Sequence, residues 1–168
     1  MTARFNNAEV RANPDRSITA SFEIRNLTGD AWRPSAGFAM GYHIFDPATD
    51  TLVVDGPRTP PGADIAPGEA CRFEIRCELP AETGRYRVFV SGMQEQSHWL
   101  YERGAEFLVL LTAADETFMQ TVHARSSYRY DEIVWGARFS DIFAQDRAAH
   151  DLTVNISRIH AYERTALP

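Results

Sequence analysis

The chain contains no lysine: all 17 of its basic residues are arginine, set against 23 aspartates and glutamates. That absence excludes a Schiff-base lysine, a P-loop lysine and any other side-chain amine chemistry, and the plainer origin of the bias is genome composition. The formal net charge is -6 and no arginine-rich run occurs. A nucleic-acid partner is therefore not expected, since phosphate-backbone binding relies on clustered positive charge. There are only two cysteines, Cys71 and Cys77. On one face of one strand they would stand roughly 20 Å apart, whereas a disulfide needs Cα atoms within about 7 Å. They read as small core residues of a reducing compartment, and two are too few for the usual four-ligand zinc framework. No apolar run approaches the ~18 to 20 residues that cross a bilayer, and the start of the chain has no signal-peptide pattern. A cytoplasmic chain with no membrane insertion of its own is implied. Gly-x-Ser-x-Gly and Gly-x-x-x-x-Gly-Lys-Ser/Thr are both missing, and the nearest approaches to ligand spacing, His43 with Asp46 and His160 with Glu163, are common accidents. No catalytic residue, metal or cofactor is expected.

What is present is alternation. At 168 residues and 44% hydrophobic content the chain can build one domain with a real core. Ala70 to Met93 anchors the reading: Cys71, Phe73, Ile75, Cys77 and Leu79 alternate with Arg72, Glu74, Arg76 and Glu78. After a turn over Pro80 to Gly84, Tyr86, Val88 and Val90 alternate with Arg87, Phe89 and Ser91. The pattern predicts a β-hairpin whose register its own apolar face defends.

Elsewhere, Ile18, Ala20, Phe22 and Ile24 mark a clean strand. Arg4 to Ala12 fits an edge strand if a bulge at Asn6 and Asn7 reconciles Phe5 with Val10. Trp32 suits a plug at one end of the core. Phe38 to Asp46 is partly apolar on both faces, so it is either central or commits its second face to a ligand or partner. Thr51 to Asp55 returns as a short strand, and the Pro-rich Gly56 to Gly68 suits a crossing between sheets. Gln94 to Gly104 reads as a polar loop with exposed aromatics, and Phe107 to Leu111 as a strand buried on both faces. Asn-x-Ser/Thr triplets at Asn26 and Asn155 are chance matches in this compartment.

These features predict an all-β fold, an immunoglobulin-like antiparallel β-sandwich over residues 1–112, with Tyr86 as a tyrosine corner. Residues 113–168 are expected to be an appendage of mixed structure that docks on the sandwich or self-associates. It would hold a strand over Phe118 to Ala124, a helical pattern over Ile133 to Ala149 and a strand over Leu152 to Ile156.

Five segments in order, Gly41-Tyr42-His43-Ile44-Phe45-Asp46, Gly56-Pro57-Arg58-Thr59-Pro60, Pro67-Gly68-Glu69, Gly84-Arg85-Tyr86, and Gln94-Glu95 with Trp99 and Gly104, form a series. The series resembles the C-terminal carbohydrate-binding domain of Wzt-type O-antigen ABC transporter ATPases, also appended to some bacterial glycosyltransferases. The resemblance covers about residues 15 to 112, and departs where Gln96 follows Glu95 and Leu100 follows Trp99. It implies a self-associating, non-catalytic module that recognises a surface polysaccharide during export. Its ATPase or glycosyltransferase segment lies outside this chain and holds it at the inner face of the plasma membrane.

A sugar site needs an aromatic platform beside hydrogen-bonding groups. If the strands at 38–46 and 85–93 share a sheet, His43, Phe45, Arg87 and Phe89 project from its outer face, and the following loop adds Glu95, His98, Trp99 and Tyr101. The family's arrangement implies that Arg58 contributes. Two alternatives stand beside this reading: the face is covered and Phe45 and Phe89 are interface core, or the chain is a structural module of an export or glycosyltransferase assembly that touches no sugar.

Overall fold

A computed structural model describes residues 2–49, 51–114, 116, 118–126 and 158–166. The smaller of two antiparallel sheets contains β1 (Ala3–Ala12), β2 (Ser17–Asn26) and β5 (Ala70–Glu78) in the order β1-β2-β5. The larger contains β3 (Phe38–Asp46), β4 (Thr51–Asp55), β6 (Gly84–Gln94), β8 (Phe107–Ala114), β9 (Phe118–Ser126) and β10 (Arg158–Ala166). Its order is β10-β9-β8-β6-β3-β4, and the two-residue β7 (His98–Trp99) pairs with the end of β6. The described residues contain no α-helix. The fold is the expected all-β sandwich.

Its core lies between the sheets. Ile18, Phe22 and Ile24 of β2 and Phe73, Ile75 and Cys77 of β5 meet Met40, Tyr42 and Ile44 of β3, Val88 and Val90 of β6, and Leu108 and Leu110 of β8. Period-two alternation delivers one apolar row per strand to this layer. Phe22 sits between Phe5 and Phe73, at centroid distances of 4.8 and 6.1 Å. Trp32 closes one end, stacked on Phe38 at 4.6 Å.

The strand assignments hold, but the predicted hairpin does not. β5 pairs with β2, β6 pairs with β3 and β8, and the turn between them crosses from one sheet to the other. Alternation says which side chains go inward. It does not say which neighbour completes the backbone hydrogen bonds, and two facing sheets satisfy both apolar rows equally well. The tyrosine corner at this crossing is present: the Tyr86 hydroxyl donates to the Glu82 carbonyl at 2.9 Å. Tyr42 adds a second tie between the sheets by accepting the Glu78 N–H at 3.1 Å.

The bulge in β1 is also present. Its register with β2 shifts between Asn6 and Glu9, Asn7 takes a positive φ of 50°, and Phe5 and Val10 are both buried. Phe5 is further held by the larger sheet. Its N–H donates to the buried Glu106 carboxylate at 2.6 Å and its carbonyl accepts from Arg125 at 2.8 Å.

Asn26 is fully buried and structural: its amide donates to the carbonyls of Asp30 and Ile65, and its oxygen accepts from Thr28. Both cysteines are free. Cys71 is half-buried, whereas Cys77 is sealed in the core, where burial pushes its thiol far above the usual range. β8 runs past Thr112 to Ala114, and β9 and β10 continue the same sheet. The helical pattern at 133–149 and the strand at 152–156 fall outside the described residues.

Candidate functional site

The outer face of the larger sheet carries His43 and Phe45 on β3, Arg87 and Phe89 on β6, and Phe107, Val109 and Leu111 on β8. The expected register is real, since His43 pairs with Phe89 and Phe45 with Arg87. The expected open shelf is not. His43 and Phe45 are 8% and 7% exposed, and Arg87 and Phe89 are 1% and 0%. Phe89 lies 5.5 Å from Phe45, 4.9 Å from Phe107 and 5.4 Å from Tyr101, ring centre to ring centre. The Arg87 guanidinium lies 5.4 Å from the centres of both Phe45 and Phe89.

Local chain geometry builds this cover. After β6 a tight reversal, with Gln96 at φ 58°, lays β7 back so that Trp99 pairs with Met93. Trp99 then lies over Gly41, where any Cβ would come within 2.9 Å of the indole. A single 3-10 turn, Tyr101–Arg103, ends at Gly104 with φ 76°, and Ser91 Oγ accepts the Tyr101 N–H at 3.3 Å. Trp99 and Tyr101 are 8% and 3% exposed. The aromatics expected in an exposed loop are therefore folded inward, because a large ring left in water forfeits roughly 1.5 to 3 kcal/mol of burial.

At the edge of this cluster sits a polar constellation centred on His43. Its Nδ1 lies 2.9 Å from the Tyr101 hydroxyl and its Nε2 3.2 Å from Asp55 Oδ1, and its ring is 4.0 Å from that of Trp99. A neutral ring protonated on Nε2 satisfies both contacts, donating to Asp55 and accepting from Tyr101. Burial holds the His43 pKa below the usual histidine range, with Arg58 acting in the same direction and Asp55 opposing. Asp55 also receives Arg58, whose Nη1 bonds Oδ1 and whose Nη2 bonds Oδ2 at 3.1 Å. That pairing lowers the Asp55 pKa and raises that of Arg58. Arg58 in turn lies 4.9 Å above the Trp99 ring and 3.9 Å from Glu95.

Of the residues proposed from sequence, the structure therefore joins His43, Arg58, Glu95, Trp99 and Tyr101 in one network, and Phe45, Arg87 and Phe89 in the adjoining aromatic cluster. His98 stands apart and bonds Ser97 Oγ at 2.8 Å. Asp55, the pivot of the network, was missed. Counting back from the β3–β4 turn puts Val54 opposite His43, and it is the register slip between Ile44 and Phe45, which alternation does not reveal, that brings Asp55 there instead. Phe107 was read only as part of an apolar run, though its parity puts it on the outer face. The network clamps β3, β4, the 56–58 turn and the 99–103 turn together. It holds no serine, threonine or cysteine, and among the described residues no three metal-ligating side chains converge.

Residues 92–168 match the family described as the inward rectifier potassium channel C-terminal domain. The inward rectifier potassium channel Kirbac3.1 of Paramagnetospirillum magnetotacticum is 49% identical over 49 residues, which is 29% of this chain and 17% of the channel. The chain thus spans under a fifth of that relative's length. The solved sporulation control protein Spo0M of Bacillus subtilis aligns over 99% of this chain and 91% of its own at 11% identity, with a TM-score of 0.35.

The two sequence matches overturn the Wzt-type resemblance and what it implied: a carbohydrate-binding role, an O-antigen or other polysaccharide partner, an ABC-transporter ATPase or glycosyltransferase alongside, and the alternative of a structural module in such an assembly. The motifs behind that resemblance are turn and strand-end signals that many β-sandwiches need, and the channel match lies largely in the tail where they are absent. His43, Phe45, Arg58, Arg87, Phe89, Glu95, His98, Trp99 and Tyr101 accordingly lose their assignment to sugar. Both sequence matches are to a channel protein, and neither is to an enzyme.

Proposed function

We propose that the chain is a cytoplasmic C-terminal portion of an inward rectifier potassium channel, working with that channel's own transmembrane pore. The observation that carries this is the 49% identity to Kirbac3.1, supported by the match of residues 92–168 to the channel-domain family. No helix among the described residues is long and apolar enough to cross a membrane, so on this reading the pore comes from sequence beyond these strands and brings the domain to the membrane. The matching segment contains Trp99, Tyr101 and Phe107, so the aromatic cover of the larger sheet belongs to the shared part, while His43, Asp55 and Arg58 precede it. Within the tail, β9 and β10 extend the larger sheet, and on this reading the tail supplies contacts between subunits.

The test is a chimera of Kirbac3.1 whose corresponding segment is replaced by residues 92–168, reconstituted in liposomes and assayed for rubidium uptake. Uptake that is selective over sodium is expected. A chimera that inserts and assembles like its parent yet conducts nothing would overturn the assignment.

A further inference from the structure

Both ring nitrogens of the nearly sealed His43 face side chains, the Tyr101 hydroxyl at Nδ1 and Asp55 Oδ1 at Nε2. Asp55 Oδ1 is shared. The same oxygen accepts from Arg58 Nη1, so imidazole and guanidinium meet at one atom. While the ring is neutral, only Arg58 brings a full positive charge there. A proton on His43 would set two cations against that oxygen, and like charges so close repel. One of the two is buried and the other is free to move away: Arg58 is 28% exposed and has a second carboxylate at hand, the half-exposed Glu95 at 3.9 Å.

Each element packed on the ring contributes to its charge balance. β4 gives Asp55, the 56–58 turn gives Arg58, and the 3-10 turn gives the Tyr101 hydroxyl and Glu102, whose Oε2 accepts the Trp99 N–H at 3.2 Å. β7 gives Trp99, which lies 4.0 Å from His43 and 4.9 Å from Arg58. β3 and β6 turn rings toward it, Phe45 at 5.8 Å and the cross-strand Phe89, with the Arg87 guanidinium against both. Burial and Arg58 oppose the charged imidazole, and Asp55 and Glu102 favour it.

We propose, independently of the channel assignment, that His43 is a proton-operated catch on the 56–58 turn: protonating it in the folded protein strengthens its bond to Asp55 and sends Arg58 across to Glu95. The added proton goes to Nδ1. The Tyr101 hydroxyl, which donates to the neutral ring, rotates to accept from the charged one. Arg58 before the exchange and the imidazolium after it keep the Asp55 carboxyl below its ordinary range. The exchange runs as pH falls below 6.5, because burial holds the ring under that ordinary value. The turn that leaves β4 thereby gives up its tie to the strand end and leans on the reversal after β6.

The test is a pH titration of the whole 15N-labelled chain by NMR, read at the imidazole nitrogens and the arginine Nε–Hε groups, with circular dichroism reporting the fold at each pH. His43→Gln and Arg58→Gln identify the two sets of signals. The neutral ring should carry its proton on Nε2, and the Arg58 signal should shift with the same midpoint as His43. That shift should vanish in His43→Gln. It should shrink in Glu95→Gln, an exposed replacement that removes the receiving carboxylate and leaves His43 in place. A neutral ring protonated on Nδ1 would overturn the proposal, as would an Arg58 signal that stays still while His43 titrates or moves equally without it. Indifference to Glu95→Gln, or unfolding before His43 titrates, would overturn it too.

Discussion

The two faces of the β3–β6–β8 sheet are equally dry and chemically unlike. The inner face, Met40, Tyr42, Ile44, Val88, Val90, Leu108 and Leu110, is mostly aliphatic and meets a second sheet built to match. The outer face is aromatic and carries charge: His43, Phe45, Arg87, Phe89 and Phe107, with Trp99 and Tyr101 folded onto it from a loop. Burial alone therefore does not separate a core from a site. What separates them here is how polar groups are satisfied, within the backbone ladder on one side and through the His43–Asp55–Arg58 clamp and the Arg87 ring contacts on the other.

The sharpest way to break this comparison is to cut one ring from the layer against each face. Phe22→Ala, in the opposing sheet that shares the core with the inner face, should cost about 3–5 kcal/mol, and Phe89→Ala should cost as much if the outer face is true core. Denaturant unfolding of both variants decides it, and a Phe89→Ala protein as stable as the parent would restore the open shelf. Asp55→Asn probes the clamp. Asp55 is half exposed, so solvent screens its pairing with Arg58 and the expected loss is only about 1 kcal/mol, measured in the same way.

The smallest effect is a pH dependence particular to the outer face. Because the folded His43 titrates below its ordinary value near 6.5, the unfolded chain holds more protons between the two values. The stability that neutral His43 confers is complete above pH 6.5 and is lost as pH falls through the folded value. A second acid limb lies lower. Asp15, held at about 2 by Ser17 and Arg76, loses its contribution as pH falls from its ordinary 3.8 toward that value. His43→Gln should flatten the upper limb in pH-dependent melts and leave the lower one in place.

Much of this was readable beforehand, and the misses share a cause. Alternation located β2, β3, β5, β6 and β8, the bulge in β1 and the role of Tyr86, because each is a local demand of the chain on itself. It misplaced β5 beside β6, since an inward row of Phe73 and Ile75 is satisfied by any apolar layer opposite. It opened the outer face for the same reason: parity put Phe45 and Phe89 on one side but said nothing of whether Trp99 and Tyr101 would fold over them. The doubly apolar β3 was the available warning, and covering both its faces is the simpler physical outcome. The match of residues 92–168 to the channel-domain family was not legible in the short motifs that were read, because it spans a long run of residues.

Cys71 and Cys77 share a strand but not an environment, one half-buried at the rim of the sandwich and the other sealed in its middle. Burial raises the pKa of both thiols, so access decides the order: a sulfhydryl reagent reaches half-buried Cys71 in the folded protein and Cys77 only when the sheets part. The molecule thus carries its own unfolding clock, with the faster sulfur as the internal standard.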